Sequence, residues 1–357
     1  GDVYKRQTLS RDQYWMLPSG SWAFVYGPSS NVNPYLGWEE KKEWNIGVDY
    51  SFFGNRMYGK FDYYRRKIDG MIYEVNVPQP PYPWQNIGEM ESKGWEFEVG
   101  GDIIQNKDFT WTSSLNMSHN SGKILTMYGN NSRMDGNAMD EPGWPGDASR
   151  IEEGAEIGAF HMWKFAGFDD KGDFLLYNKD GEVIPASQKS VDDKQYIGNY
   201  LPKVMMGWNN TFTYKNFDLG INMRSWIGFD VLNTYPMYLG IQGQSGAGQW
   251  NLWKPALDDP KYKDIRGVKQ LCDYFLEDGS FLKIDAITLG YTLALSKYTK
   301  WAERLRVYGT VGNVATITGY SGHNPEVNIT GWEGGVDKVW NCDPIVRTYT
   351  LGIQVTF

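Results

Sequence analysis

The sequence predicts an all-β protein, an antiparallel transmembrane β-barrel that is incomplete here, with about nine or ten strands and long external loops. Three observations predict this fold. Apolar and polar residues alternate with a period of two in many segments. Most of these segments reach the roughly 9–11 residues that a membrane-crossing strand needs. Short and long connections between the segments follow one another along the chain.

The clearest alternation lies in residues 347–357. Small and polar side chains share one face of this segment, and apolar side chains share the other: Tyr349, Leu351, Ile353, Val355 and Phe357. Taken alone, the segment fits a membrane barrel and a soluble half-buried sheet equally well.

Other alternating segments predict strands at residues 21–26, 43–53, 56–67, 91–104, 109–120, 202–214, 217–229 and 281–295, and a weaker one at 305–317 that contains Gly309 and Gly312. Short connections occur at 54–55, 105–108 and 215–216, with a longer one near 296–304. They alternate with long connections at 68–90, 121–201, 230–280 and 318–345. Outer-membrane barrels have short periplasmic turns and long external loops. If the short turns are periplasmic, the final strand must end in the periplasm. This requires that residues 157–178 contribute no single spanning strand, so they are predicted to form a hairpin within an external loop, turning at 169–172.

Composition excludes several classes of protein. No run of about 18 apolar residues occurs, which excludes a helical membrane protein. The net charge of −8, without a basic stripe, argues against a nucleic-acid partner. Tyr and Trp together outnumber Phe, which suits interfacial girdles or sugar-stacking surfaces. Cys272 and Cys342 lie in predicted loops and could pair in an oxidising compartment or remain as two thiols.

No catalytic or metal site is predicted, and no cofactor. His119, His161 and His323 show no metal-ligand spacing. The acidic residues 169–173 lack the spacing of a calcium loop and are predicted to form a solvated hairpin tip. Glu96 and Glu98 share one strand face, opposite the apolar one, and are therefore predicted to line a lumen rather than to act as a catalytic acid/base pair. The chain is therefore predicted not to be an enzyme.

Several stretches resemble the SusC/RagA family of TonB-dependent outer-membrane transporters. They occur in the family's order: WNIGVDYSFFGNR at 44–56, NIGEMESKGWEFE at 86–98, IGNYLPK at 197–203, EDGSFLKI at 277–284, TLGYT at 288–292, YSGHNPE at 320–326 and RTYTLG at 347–352. The segment 313–318 departs from the family's usual sequence, so the end of the strand predicted at 305–317 is left undefined.

The resemblance implies a barrel of about 22 strands with an N-terminal plug, of which this chain matches only the C-terminal part. Residues 1–20 are left unassigned, with a start that could be non-native, and 21–357 are assigned to the barrel. The implied function is import of a large nutrient, an oligosaccharide or for some members a peptide, with TonB-derived energy. The implied partners are a SusD-like surface lipoprotein, the TonB complex and outer-membrane lipid.

Two alternatives stay open beside that implication, a passive porin-like barrel and a soluble carbohydrate-binding β domain. In the soluble alternative the apolar strand faces meet in one core, and in both barrels they point outward. Candidate residues for contact with a substrate or partner are loop tryptophans, which could equally pack the loops on one another: Trp144, Trp163, Trp250, Trp253 and Trp332.

Overall fold

The computed structural model describes residues 9–28, 33, 35–74, 84–127, 133–136, 146–242, 251–330, 334–339 and 345–357. The strands are β1 (Leu9–Met16), β2 (Trp22–Pro28), β3 (Glu40–Phe52), β4 (Met57–Asp69), β5 (Ile72–Glu74), β6 (Trp84–Asn86), β7 (Glu89–Gln105), β8 (Phe109–Thr126), β9 (Arg133–Gly136), β10 (Ser149–Glu152), β11 (Ala159–Met162), β12 (Lys164–Phe168), β13 (Phe174–Tyr177), β14 (Val183–Pro185), β15 (Gln195–Asn199), β16 (Val204–Tyr214), β17 (Phe217–Ile227), β18 (Asp230–Asn233), β19 (Leu276–Asp278), β20 (Phe281–Ala294), β21 (Arg304–Thr318), β22 (Val336–Asp337) and β23 (Thr348–Thr356). The helices are α1 (Thr234–Leu239) and α2 (Pro255–Asp258).

The long strands form one nine-stranded sheet in the order β23-β21-β20-β17-β16-β8-β7-β4-β3. Every neighbouring pair is antiparallel. Each of these strands lies beside the long strand that precedes or follows it in the chain, as in an up-and-down barrel wall. The sheet confirms the fold class that the alternation predicts.

The predicted connections at 54–55, 105–108 and 215–216 are tight turns of this sheet, whereas nine residues, 295–303, join β20 to β21. Between β3 and β4, Phe53, Gly54 and Asn55 all adopt positive φ, which glycine and asparagine tolerate best. The turn between β16 and β17 consists of Lys215 and Asn216, and Lys215 also adopts positive φ.

Strand register places the apolar side chains on one face of the sheet. Ile221 pairs with Ile287, Ile287 with Val311, and Val311 with Tyr349, so that one row of apolar residues crosses four strands. This face is exposed rather than packed: Leu289 is 55% exposed and Leu351 is 81% exposed. The faces do not meet in a core, which is the arrangement that the barrel predicts and the soluble alternative does not.

The buried core lies instead in the long connections. Its largest buried side chains come from segments between the long strands: Phe160, Met162, Phe174, Leu232, Met237, Leu271 and Phe275. The predicted hairpin within residues 157–178 is confirmed, because β12 and β13 pair antiparallel. Its tip is closed by Asp169, whose carboxylate accepts hydrogen bonds from the backbone of Lys171 and Asp173.

Some boundaries differ from the sequence prediction. β8 continues to Thr126 instead of ending near residue 120, because its backbone keeps pairing with the start of β7. β21 is continuous through Gly309 and Gly312, and the expected weakness is limited to a register shift opposite residues 284–286. β1, which pairs with β2, was not predicted. Residues 78–83, whose four prolines predict a stiff, extended loop, lie outside the described residues.

The two faces of the sheet predict different tolerance of charge. Ile221→Arg, near the middle of β17 on the apolar face, should lower the free energy of unfolding by about 2–4 kcal/mol in a bilayer. The matched change Asn222→Arg, on the opposite face, should alter it by about 0.5 kcal/mol or less. Urea unfolding of the complete barrel in lipid vesicles measures both, and equal losses would contradict the assignment of faces.

Candidate functional site

A cavity lies where the long connections meet the sheet. Its volume is about 780 Å³, and its walls come from β10, β11, β15, the start of β18 and the segment that precedes β16. Carboxylates dominate its charged lining, namely Glu152, Glu153, Glu156, Asp230 and Asp278, with Lys203 as the cation. The cavity is therefore rich in hydrogen-bond acceptors and negative in charge.

Asn199 fixes the geometry of this cavity. Its backbone N–H donates to the Oδ2 atom of Asp230 at 2.9 Å, and its side-chain amide donates to the carbonyl of Ile157 at 3.1 Å. The preceding Gly198 has φ of +73°, and a Cβ there would lie 2.6 Å from Asp230. The glycine thus allows the backbone to approach the carboxylate closely.

Burial raises the pKa of the Asp230 carboxyl above its usual value, and the neighbouring Asp278 acts in the same direction. The hydrogen bond from Asn199 and the charge of Lys203 oppose this rise. A cationic or hydroxyl-rich ligand would add to the partners that Asn199 and Lys203 already supply to this carboxylate. Tyr196 adds an aromatic ring at the cavity and is 41% exposed.

A second polar cluster joins two of the resembling stretches, 277–284 and 320–326. Glu277 accepts hydrogen bonds from Ser321, through both its hydroxyl and its backbone N–H, and from the Asn233 amide. Tyr320 donates to the Oδ2 atom of Asp337 at 2.7 Å in a buried position. Desolvation raises the pKa of the Asp337 carboxyl, and the Tyr320 hydroxyl opposes that rise.

A third cluster ties the connection after β21 to the sheet wall. Glu326 accepts a hydrogen bond from Lys283 Nζ at 2.6 Å and forms an ion pair with Arg224 at 2.8 Å. Lys283 and Arg224 face each other on β20 and β17, on the face opposite the apolar row. The Lys283 side chain is only 5% exposed. The connection thus folds against the polar face, which marks that face as the inner one.

The tryptophans proposed from sequence are only partly described, since Trp144, Trp250 and Trp332 lie outside the described residues. Trp163 is 5% exposed and belongs to the core of the connections, with its indole N–H donating to the carbonyl of Ser190 at 2.7 Å. Trp253 is partly buried against the same core, and its ring lies 5.2 Å from that of Tyr262. These two therefore pack the connections on one another, and a contact with substrate or partner stays a prediction.

The histidines lie in separate surroundings. His119 contacts the carbonyl of Lys203, His161 lies 5.1 Å from the ring of Tyr196, and His323 stacks on Tyr235 at 4.9 Å. Within the described ranges, no group of three or more His, Cys, Asp or Glu residues could hold a metal ion. Cys272 is a buried thiol whose pKa is raised to about 12 by burial. Its proposed partner Cys342 lies outside the described residues.

Sequence reasoning missed the acidic cavity and the two carboxylate clusters. Glu277 and Glu326 do stand inside stretches that carry the family resemblance, so a signal for them was present. The cavity carboxylates gave no such signal, because Glu152 and Asp230 are far apart in the chain and occur in no shared motif.

Comparison with known proteins identifies the family. Residues 2–314 match the family described as TonB dependent receptor-like, beta-barrel. The chain belongs to this family. It is 30% identical over 360 residues to TonB-dependent receptor P3 of Formosa agariphila, which covers 91% of this chain and 35% of that protein. It is 28% identical over 367 residues to TonB-dependent receptor SusC of Bacteroides thetaiotaomicron, covering 97% of this chain and 35% of that protein.

The structure of the RagAB peptide transporter matches this TonB-dependent receptor chain with a TM-score of 0.82 and 26% identity, covering 99% of this chain and 39% of that one. Together with the SusC relative, this match confirms the resemblance to the SusC/RagA family. The chain spans little more than a third of the relatives it matches.

Membership places this chain in the outer membrane, with the nine-stranded sheet as part of a barrel wall. The matched relatives are named as receptors and transporters, in agreement with the prediction that the chain is not an enzyme. Among the described residues, no helix is long and apolar enough to cross a membrane.

The Tyr320–Asp337 pair predicts a pH-dependent loop stability. Tyr320→Phe should destabilise the connection by about 1–3 kcal/mol at neutral pH, because the buried Asp337 carboxylate loses a donor. Folding raises the pKa of this carboxyl above its ordinary value of 3.8, so its ionisation weakens the fold as pH rises. The penalty should therefore shrink as pH falls through that raised pKa and be smallest below 3.8, where Asp337 is protonated in both the folded and the unfolded state. Amide hydrogen exchange of residues 320–339 measures it. Tyr298→Phe, at an exposed ring, is the control, and a penalty independent of pH would contradict this account.

The Glu326 cluster makes a separate prediction. Glu326→Gln leaves the buried Lys283 ammonium without its carboxylate, which should cost about 3–5 kcal/mol. The connection 319–330 should then detach from the wall, seen as faster amide exchange in those residues alone. Glu303→Gln, at an exposed turn, is the control. Adding Lys283→Met to Glu326→Gln removes the unpaired ammonium and should restore part of the protection from amide exchange. If no protection returned, the loss would not be an effect of charge.

Proposed function

We propose that this chain forms part of an outer-membrane transporter that imports a large nutrient, an oligosaccharide, with TonB-derived energy. Support comes from family membership and from the wall itself, whose apolar face points outward while its polar face binds the external connections through Glu326. A wall built this way encloses a polar lumen, as transport of a hydrophilic solute requires.

The acidic cavity is the observation that carries the substrate class. Carboxylates accept hydrogen bonds from sugar hydroxyls, and an exposed ring such as Tyr196 can stack on a pyranose face. A volume of about 780 Å³ is within the ~300–1,000 Å³ usual for small-molecule sites. The site would therefore hold a few sugar units of a longer chain.

A peptide is the second candidate substrate, favoured by the charge of the same cavity. Carboxylates such as Glu152 and Asp230 complement Lys or Arg side chains or a free amino terminus, whereas Lys203 complements a peptide carboxylate. The structurally similar RagAB protein is described as a peptide transporter.

Partners follow from the same proposal. A SusD-like surface lipoprotein would cover the external connections, and the TonB complex would supply energy through a part of the receptor that lies outside this chain. A passive porin-like barrel, the remaining alternative, would need neither.

Uptake assays test the proposal. Cells that carry the complete receptor as their only transporter of this family would be given fluorescently labelled neutral oligosaccharides or a labelled tryptic digest. We expect uptake of the oligosaccharides, and loss of that uptake when TonB is deleted. Asp230→Asn together with Glu152→Gln should lower uptake about tenfold, since two acceptor charges are lost.

The outcomes separate the candidates. Uptake confined to basic peptides would show that the substrate is a peptide and not an oligosaccharide. Uptake that persists without TonB would overturn active transport in favour of a passive barrel. The matched control is Asp170→Asn with Glu182→Gln, two exposed acidic positions in the turns that join β12 to β13 and β13 to β14, away from the cavity lining.

A further inference from the structure

A groove of about 590 Å³ interrupts the apolar face of the sheet near the turn between β3 and β4. We call it the wall groove. Its apolar sides include Phe53, Met57, Val99, Leu115 and Trp208. The volume is within the ~300–1,000 Å³ typical of ligand sites.

Small residues create the groove floor. Gly101 pairs with Met57 on β4 and with Ser113 on β8. The small residues Gly101 and Ser113 therefore lie on the apolar face next to a row of larger side chains. A Cβ at Gly101 would lie 2.1 Å from the carbonyl oxygen of Arg56, so a larger residue does not fit there. The larger row is Val99, Leu115 and Trp208, paired in register on β7, β8 and β16.

Trp208 is held at the side of the groove by a hydrogen bond. Its indole N–H donates to the hydroxyl of Ser113 at 2.9 Å, and the ring is 44% exposed. The indole donor is therefore satisfied within the protein, and the ring offers an apolar surface to whatever fills the groove.

Arg56 places one positive charge at the rim. It lies in the turn and lines the groove, and its guanidinium donates to the carbonyl of Asp102 at 3.4 Å. It forms no ion pair with any residue that the structure describes. An arginine fork matches the oxygens of a phosphate better than a point charge does.

We propose that the wall groove binds a phospholipid, with an acyl chain against Val99, Leu115 and Trp208 and the phosphate at Arg56. The apolar face is the membrane-facing side of the wall, and short turns in such barrels lie at the periplasmic end, so the groove meets the periplasmic leaflet. The other charged residue lining the groove, Asp102, accepts a hydrogen bond from the Thr112 hydroxyl at 2.8 Å and forms no ion pair with Arg56. A hydrocarbon alone would leave Arg56 without a counter-charge, and free phosphate would leave the groove empty. The site is independent of the transported nutrient.

Native mass spectrometry of the complete receptor in detergent tests this, with dioleoyl phosphatidylglycerol as the probe. Arg56→Gln should weaken retention about tenfold, the effect of one charge-assisted hydrogen bond. Its control is Arg304→Gln, an exposed arginine at another short turn that should not change retention. Val99→Phe should fill the groove and lower retention by a similar factor, whereas Ile221→Phe, on the same face but outside the groove, should not.

Competing probes define the chemistry. Dioleoylglycerol, which lacks the phosphate, should bind about as weakly to the unaltered receptor as phosphatidylglycerol binds to Arg56→Gln, and inorganic phosphate should not displace the lipid. Equal retention in Val99→Phe and Ile221→Phe, or displacement by inorganic phosphate, would overturn the proposal. So would a lipid-free dimer that Val99→Phe dissociates, since the groove would then be a protein contact. Heat-modified gel migration of every variant checks that each barrel is folded.

Discussion

The structure depends on the unbroken antiparallel ladder of its nine long strands. A bilayer offers no water to backbone N–H and C=O groups, so a spanning segment must satisfy them from neighbouring strands. The ladder also fixes which side chains face lipid, because a slip of one residue would exchange the two faces. The row from Ile221 to Tyr349 holds only in the observed register. The outer edges of β3 and β23 have no neighbour among the described strands and need partners in a complete barrel.

The external connections are a second, differently built layer. They have their own buried core around residues such as Phe160 and Phe275, and short strands that pair among themselves. They attach to the wall through charged groups such as the Glu326 cluster, and through an apolar cluster in which Tyr320 and Val327 pack with Phe281 and Trp226. The residues that face lipid are thus a separate set from those that pack the connections. The cavity lies at the boundary between the two layers.

The long strands could be predicted from sequence, most of them to within three residues at each end, because alternation along a strand such as β16 is a local property. The hairpin at Asp169 was also local and correctly predicted. The end of β8 was not, because Ser121 and Gly122 interrupt the alternation and only pairing with β7 continues the strand. The acidic cavity was missed because Glu152 and Asp230 meet through folding across many intervening residues. Trp163 was a candidate for substrate contact because it is a tryptophan in a predicted loop. Its burial, which the sequence does not show, determines its contacts instead.

The alternation along each strand has an evolutionary consequence. Positions that face lipid are constrained to be apolar, whereas the intervening positions and the connections can change without disturbing insertion into the membrane. A barrel of this kind can acquire a new cargo by substitutions on one side of its wall. Backbone agreement at a TM-score of 0.82 alongside 26% identity is what such unequal constraint would produce. Divergence among these receptors should therefore be analysed separately for the lipid-facing and the lumen-facing positions of each strand.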